Sequence, residues 1–113
     1  VIIKRVDLIR LKINGAECKF DKAELIISFD DVYMGNENMF IEDRIFEWNI
    51  EAQNVKSHID FEKLYKLDIK TNLNFETIDG HKAKAQGVIN EILIYSNAIK
   101  EIGISVKDWA VLV

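Results

Sequence analysis

Two histidines, one cysteine and a crowd of carboxylates are the residues through which this chain could do chemistry. His58 and His81 are the only candidates for proton transfer near neutral pH. Neither sits in a Ser-His-Asp, Cys-His or metal-ligand spacing, and an active site needs mutual geometry as well as residue types. Both therefore read as exposed loop or turn histidines. Cys18 falls on an inward position of an alternating strand, where a free thiol behaves as a small hydrophobe. A nucleophile there would need access and a lowered pKa. As the sole cysteine it excludes an internal disulfide and any site built on paired thiols, and it suggests a reducing, cytoplasmic setting. Asp30, Asp31, Glu37, Glu42 and Asp43 crowd one segment, but they miss the Asp-x-Asp/Asn-x-Asp/Asn-Gly spacing of a calcium loop. The expectation is a protein that is not an enzyme, with no catalytic residue, no cofactor and no metal.

Charge says more about partners. From 21 to 51 there are nine acidic residues against Lys22 and Arg44, a segment of −7 in a chain of −4, which leaves +3 elsewhere. The same segment interleaves its acids with Tyr33, Met34, Met39, Phe40 and Ile41. Aromatic residues and Met are enriched where proteins meet. A basic protein partner is expected there, with Tyr33, Met39 and Phe40 as anchors and Glu42, Asp43 and Glu47 as the steering charges. The plainer alternative is that 32–34 and 39–41 extend the flanking strands and pack inward. Lys82 and Lys84, with His81 and with Lys4, Arg5, Arg10 and Lys12, could form a basic surface. No Gly-rich phosphate loop or aromatic stacking platform accompanies them, so nucleic acid is not the expected partner.

The elements that must position these residues follow a period of two. Ile9, Leu11 and Ile13, then Asn14-Gly15, then Ala16, Cys18 and Phe20 spell a two-residue hairpin that pairs Ile13 with Ala16, Leu11 with Cys18 and Ile9 with Phe20. Lys12 faces Glu17 on the wet side. Val6 and Leu8 have the opposite parity, so a bulge is expected near Leu8 and Ile9. Ala23, Leu25, Ile27 and Phe29 make a half-buried strand, and 30–43 reads as a long loop. Phe46, Trp48, Ile50 and Ala52 alternate cleanly with polar residues. Ser57, with Asp60 three residues on, suggests a short helix over 57–66. Leu67, Ile69, Thr71, Leu73 and Phe75 lead to a second hairpin. The face rule selects a three-residue loop, Ile78-Asp79-Gly80, which pairs Phe75 with Ala83, Leu73 with Ala85, Thr71 with Gly87 and Ile69 with Ile89. A bend is expected at Gly87, where the apolar parity changes. Ser96-Asn97 turns the chain into a last strand through Ile102, Ile104 and Val106. The apolar tail of Trp109, Val111 and Val113 is expected to pack on the core or on another subunit.

The chain's 113 residues, 49% apolar and 30% charged with no proline, suit one globular domain over 1–113. No apolar run approaches the ~18 residues of a membrane span, and no signal peptide is visible. The expected fold is all-β and mostly antiparallel: a small barrel or sandwich of about six to seven strands with one short helix. The element order resembles that of the OB-fold. The functional expectation is a non-catalytic, bacterial interaction or structural module, for instance an inhibitor of the immunity type that covers a basic surface, with homo-oligomer formation compatible. The alternative is an OB-like ligand or oligonucleotide binder.

Overall fold

The computed structural model describes residues 2–34 and 40–112, with side chains described over 3–28 and 47–108. Its strands are β1 (Ile2–Ile13), β2 (Ala16–Glu17), β3 (Lys22–Met34), β4 (Phe40–Val55), β5 (Thr71–Thr77), β6 (Lys82–Tyr95) and β7 (Ala98–Leu112). One helix, α1 (Phe61–Lys66), lies between β4 and β5. The strand order is β2-β1-β3-β4-β7-β6-β5, and β5 pairs again with β1. The result is a closed six-stranded antiparallel barrel, with β2 as an extra strand on β1. Closure decides barrel over sandwich.

Turn chemistry sets the registers. Asn14 (φ 51°) and Gly15 (φ 80°) both take the left-handed conformation of a type I′ turn, and Ile13 pairs with Ala16. Ser96 and Asn97 do the same between Tyr95 and Ala98. In the β5–β6 hairpin Gly80 has φ 90°, and Phe75 pairs with Ala83, Leu73 with Ala85 and Thr71 with Gly87, which is the three-residue register read from the faces. Ile69 lies before β5 and is not part of this ladder.

The parity switch in β1 is a bulge, as expected. The β1–β5 register shifts between Leu8 and Arg10, so Leu8 and Leu11 are both buried. The cost falls on Ile9, the bulged residue, which is 55% exposed and does not join Phe20 on the inner face. The core inside the barrel is built from Leu11, Ile13, Ile50, Leu73, Ile89, Ile102 and Ile104, all essentially inaccessible to water. Phe61 and Leu64 of α1 add to it. The helix is shorter than expected. Asp60, not Ser57, is its N-cap, and its carboxylate accepts from the Lys63 amide at 3.1 Å. Ser57 instead accepts from the Ile59 amide in the approach to the helix.

The bend expected at Gly87 lies further along. Burial keeps its alternation through Ala83, Ala85, Gly87 and Ile89, and the register slips between Ile89 and Glu91. Gly87 is small for packing. A Cβ there would stand 2.6 Å from Leu73 Cδ1 and 2.7 Å from Ile104 Cγ2, and its carbonyl accepts from the buried Thr71 hydroxyl at 2.8 Å. Gly87→Ala is therefore expected to destabilise the barrel by about 1–3 kcal/mol through overpacking. Urea unfolding would show this as a lower midpoint at unchanged slope.

Candidate functional site

The acidic segment is not a loop. β3 runs on to Met34 and β4 starts at Phe40, and the ladder between them continues through Asp30↔Arg44, Asp31↔Asp43, Val32↔Glu42, Tyr33↔Ile41 and Met34↔Phe40. The strand-extension alternative describes the backbone here. Val32, Tyr33, Phe40 and Ile41 are of types that favour a pleated strand, which suits an extended backbone among so many acids.

Two bulges carry this hairpin away from the barrel. On β4 the register shifts between Ser28↔Glu47 and Phe29↔Ile45, leaving Phe46 as the extra residue. On β7 three steps from Lys107 to Ala110 match two on β6 from Gln86 to Lys84, and Asp108 sits at φ 48°. Asp tolerates that left-handed conformation better than most residues. Each bulge bends and twists its strand. The last β4–β7 pair is Trp48↔Val106, and from Lys107 onward β7 pairs with β6 alone. Among the described residues, the 40–47 edge of β4 is thus left without a strand on the β7 side. We refer to this projecting hairpin as the arm.

The sequence-predicted site residues map onto it as follows. Tyr33 stands opposite Ile41, Phe40 opposite Met34, Glu42 opposite Val32 and Asp43 opposite Asp31. Glu47, paired with Ser28, is exposed at the base of the arm. Met39 lies outside the described residues, and so does Glu37. The parity switch of the apolar tail rests on side chains beyond those described. The register sets Asp31 opposite Asp43.

Inside the arm end of the barrel lies a cavity of about 170 Å³ between the β1–β3–β4 and β5–β6 walls, with Val6, Leu25, Ile27, Trp48 and Phe75 among its lining. Sequence reasoning missed it, because it forms only where the two walls separate. Thr77, Asp79 and His81 sit on its rim. The Asp79 carboxylate accepts from the Thr77 hydroxyl and from His81 Nδ1 at 3.1 Å, while the His81 amide donates to Thr77 Oγ1 at 3.1 Å. Hydroxyl and imidazole both bond the carboxylate and not each other. The arrangement locks the β5–β6 turn. His58 is exposed on the approach to α1. Cys18 is buried, and desolvation pushes its thiol upward, away from nucleophile behaviour. Among the described residues no three His, Cys, Asp or Glu side chains stand close enough to hold a metal ion, and no helix is long and apolar enough to cross a membrane.

The opposite wall gathers cations. Cross-strand pairs share a face. The rows Arg10↔Glu76↔Lys82 and Lys12↔Asn74↔Lys84 therefore bring residues some seventy positions apart onto one outer surface of β1, β5 and β6. Lys82 and Lys84 are exposed, and a shallow cleft runs between Arg10, Lys12, Glu76 and Lys82. Arg10 Nε also meets Glu17 at 3.3 Å, so the diagonal ion pair forms in place of the direct Lys12–Glu17 contact expected from the hairpin. The sequence supplied the cations; barrel closure through β1–β5 makes them neighbours.

The hydrogen bonds from Thr77 and then His81 hold the Asp79 carboxyl below the usual aspartate range. A lowered folded value stabilises the fold above the ordinary aspartate pKa, and the benefit disappears as pH falls through the folded value. Thr77→Val is expected to raise the Asp79 titration toward the ordinary range when followed by carboxyl NMR. Its melting deficit should be complete near neutral pH and narrow in acid; an unmoved Asp79 titration would contradict the turn lock. No protein-family model, no curated protein and no solved structure matches the chain.

Proposed function

We propose that this barrel is a non-catalytic interaction module that docks a basic protein partner through the arm. The observation that carries the reading is the open 40–47 edge of β4, which presents unpaired backbone donors and acceptors beside Glu42, Asp43 and Glu47. An open strand edge binds another chain by main-chain hydrogen bonds, while its side chains select which one. Charges on an edge oppose indiscriminate pairing, and here they favour a cationic surface. Tyr33 and Phe40, with Met39, supply the apolar anchors. An inhibitor of the immunity type, covering a basic enzyme surface, fits this chemistry. The single buried Cys18 suits a reducing, cytoplasmic compartment.

A second reading is favoured by one observation, the two cation rows on β1 and β6. They suit an OB-like binder of oligonucleotides, with affinity falling steeply in salt and on loss of Lys82 and Lys84. Against it, the aromatic ring nearest these rows, Phe75, points into the core and offers bases no stacking surface.

The arm can be removed without touching the core. Asp30 and Arg44 are paired, so replacing 31–43 by Asn-Gly joins them through a two-residue turn. The shortened protein is expected to melt within about 5 °C of the native one, equivalent to about 1 kcal/mol for a domain of this size. It should fail to retain the proteins that the immobilised native chain captures from extract of its own cells. Glu42→Gln/Asp43→Asn/Glu47→Gln should release them at lower salt than native. Equal capture by the shortened protein would overturn the proposal.

A further inference from the structure

The geometry points to a second copy of this chain as a partner of the arm, docked on the cation rows of β1, β5 and β6 in a head-to-tail contact. This rests on the proposal that the arm is a docking element and names what it docks on.

Around the closed barrel the order is β1, β3, β4, β7, β6, β5. β3 is three places from β6 and β4 is three places from β5, so the arm lies across the barrel from Lys82 and Lys84; Arg10 and Lys12 stand on β1, the neighbour of β3, but in its second half, which pairs with β5. That placement leaves both rows open to the arm of a second copy. The complementarity is pronounced. Among the described residues the arm and its base carry five carboxylates (Asp30, Asp31, Glu42, Asp43 and Glu47) against Arg44. The facing wall carries Arg10, Lys12, Lys82 and Lys84 against Glu17 and Glu76. Apolar contact is available as well: Ile9, 55% exposed at the β1 bulge, and Ile78, 64% exposed in the β5–β6 turn, flank the rows, and the Ile78 amide bonds the Asp7 carbonyl at 2.9 Å. Ile9 stands beside Arg10 and Ile78 beside the exposed Asp7 and Asp79, so this apolar area is edged by both signs of charge.

Dimensions agree. Six residues of arm reach about 20 Å, and the outer two of three neighbouring strands lie about 10 Å apart, close to the width of a two-stranded ribbon. The alternative self-contact, edge to edge between two arms, would set Glu42, Asp43 and Glu47 against their own copies and is opposed by like-charge repulsion. A contact between two different surfaces also leaves one arm and one cationic wall unused at the ends of every assembly, so it propagates unless it closes into a ring.

The experiment is light scattering on the native protein and on two variants, with melting curves confirming that each is folded. The arm-reversed variant is Glu42→Lys/Asp43→Lys; the wall-reversed variant is Lys82→Glu/Lys84→Glu. In about 0.01 M salt, where the Debye length is about 30 Å, the native weight-average mass is expected to rise at least about twofold with concentration, and in about 1 M salt it should return to monomer. Each variant alone should remain monomeric. Their equimolar mixture should associate again, because the native arm of one meets the native wall of the other and the two reversed surfaces are likewise opposite in charge. A native protein that stays monomeric at millimolar concentration in low salt overturns the inference, as do variants that associate like the native chain. Binding of a single-stranded oligonucleotide through Lys82 and Lys84 without self-association overturns it in favour of the nucleic-acid reading. If self-association is absent while arm-dependent capture from extract persists, the head-to-tail contact fails and the arm proposal stands.

Discussion

A β-strand has two edges, and closure of this barrel depends on how β1 divides them. Its first half hydrogen-bonds β3, from Ile2↔Phe29 to Asp7↔Glu24, and its second half hydrogen-bonds β5, from Leu8↔Thr77 to Ile13↔Leu73. The two neighbours thus meet β1 at different heights, which is the stagger that a closed sheet requires. The switch is absorbed at Ile9, where one extra residue lets both Leu8 and Leu11 face inward. Exposing one isoleucine forfeits about 1.5–3 kcal/mol of burial, and closure in return keeps a whole row of backbone groups out of competition with other chains. Every other feature inherits this geometry, including the neighbouring position of Arg10 and Lys82 and the inward aim of Phe75.

The same device, used at the other end, opens the structure. Phe46 on β4 and Asp108 on β7 are extra residues at the level where Trp48 and Val106 make the last pair between those strands. One bulge alone would bend a strand within a continuous sheet. Two bulges on adjacent strands bend them onto different courses, so that the β3–β4 ladder continues outward while β7 stays with β6. The arm and the cavity beneath it are consequences of one local mismatch, and both are lined by elements anchored in the rigid part of the barrel. Core residues such as Ile50, Ile104 and Leu25 pack within a few positions of the open edge.

Much of this was legible in the sequence wherever local chemistry dictates a unique answer. Asn14-Gly15 demands positive φ at both positions, and the three-residue loop at 78–80 is the one that keeps Phe75, Leu73, Ala83 and Ala85 on a single face. Trp48, Ile50 and Ala52 alternate against water because one side of β4 is solvated. The misreadings share a cause. Acids and turn formers at 30–43 resemble a loop because apolar and polar residues do not alternate there, so no period of two marks the strands. Gly87 resembles a bend because a missing side chain looks alike whether it serves backbone freedom or the close approach of Leu73 and Ile104. Ser57 and Asp60 are both able caps, and only the path of the chain into α1 selects Asp60. The cavity and the cation rows are products of closure, and residues some seventy positions apart leave no local trace of becoming neighbours.

The electrostatics of the β5–β6 turn are local. The carboxylate with a clearly shifted titration among the described residues, Asp79, is lowered and exposed, with both its partners drawn from its own turn. Catalytic acids and bases are tuned toward neutrality by burial or by opposing neighbours. Asp79 is exposed, and the cavity beside it is lined by apolar side chains of β1, β3, β4, β5 and β6 together with Lys4, Thr77, Asp79 and His81. Closure also sets where charge meets charge. The β1–β5 pairing brings Arg10 and Lys12 beside Lys82 and Lys84, whereas Arg5 and Lys22 both lie within ion-pair reach of Glu24 on β3. Cations gathered in rows with fewer carboxylates keep a field that local pairs would quench, and that field acts over about a Debye length.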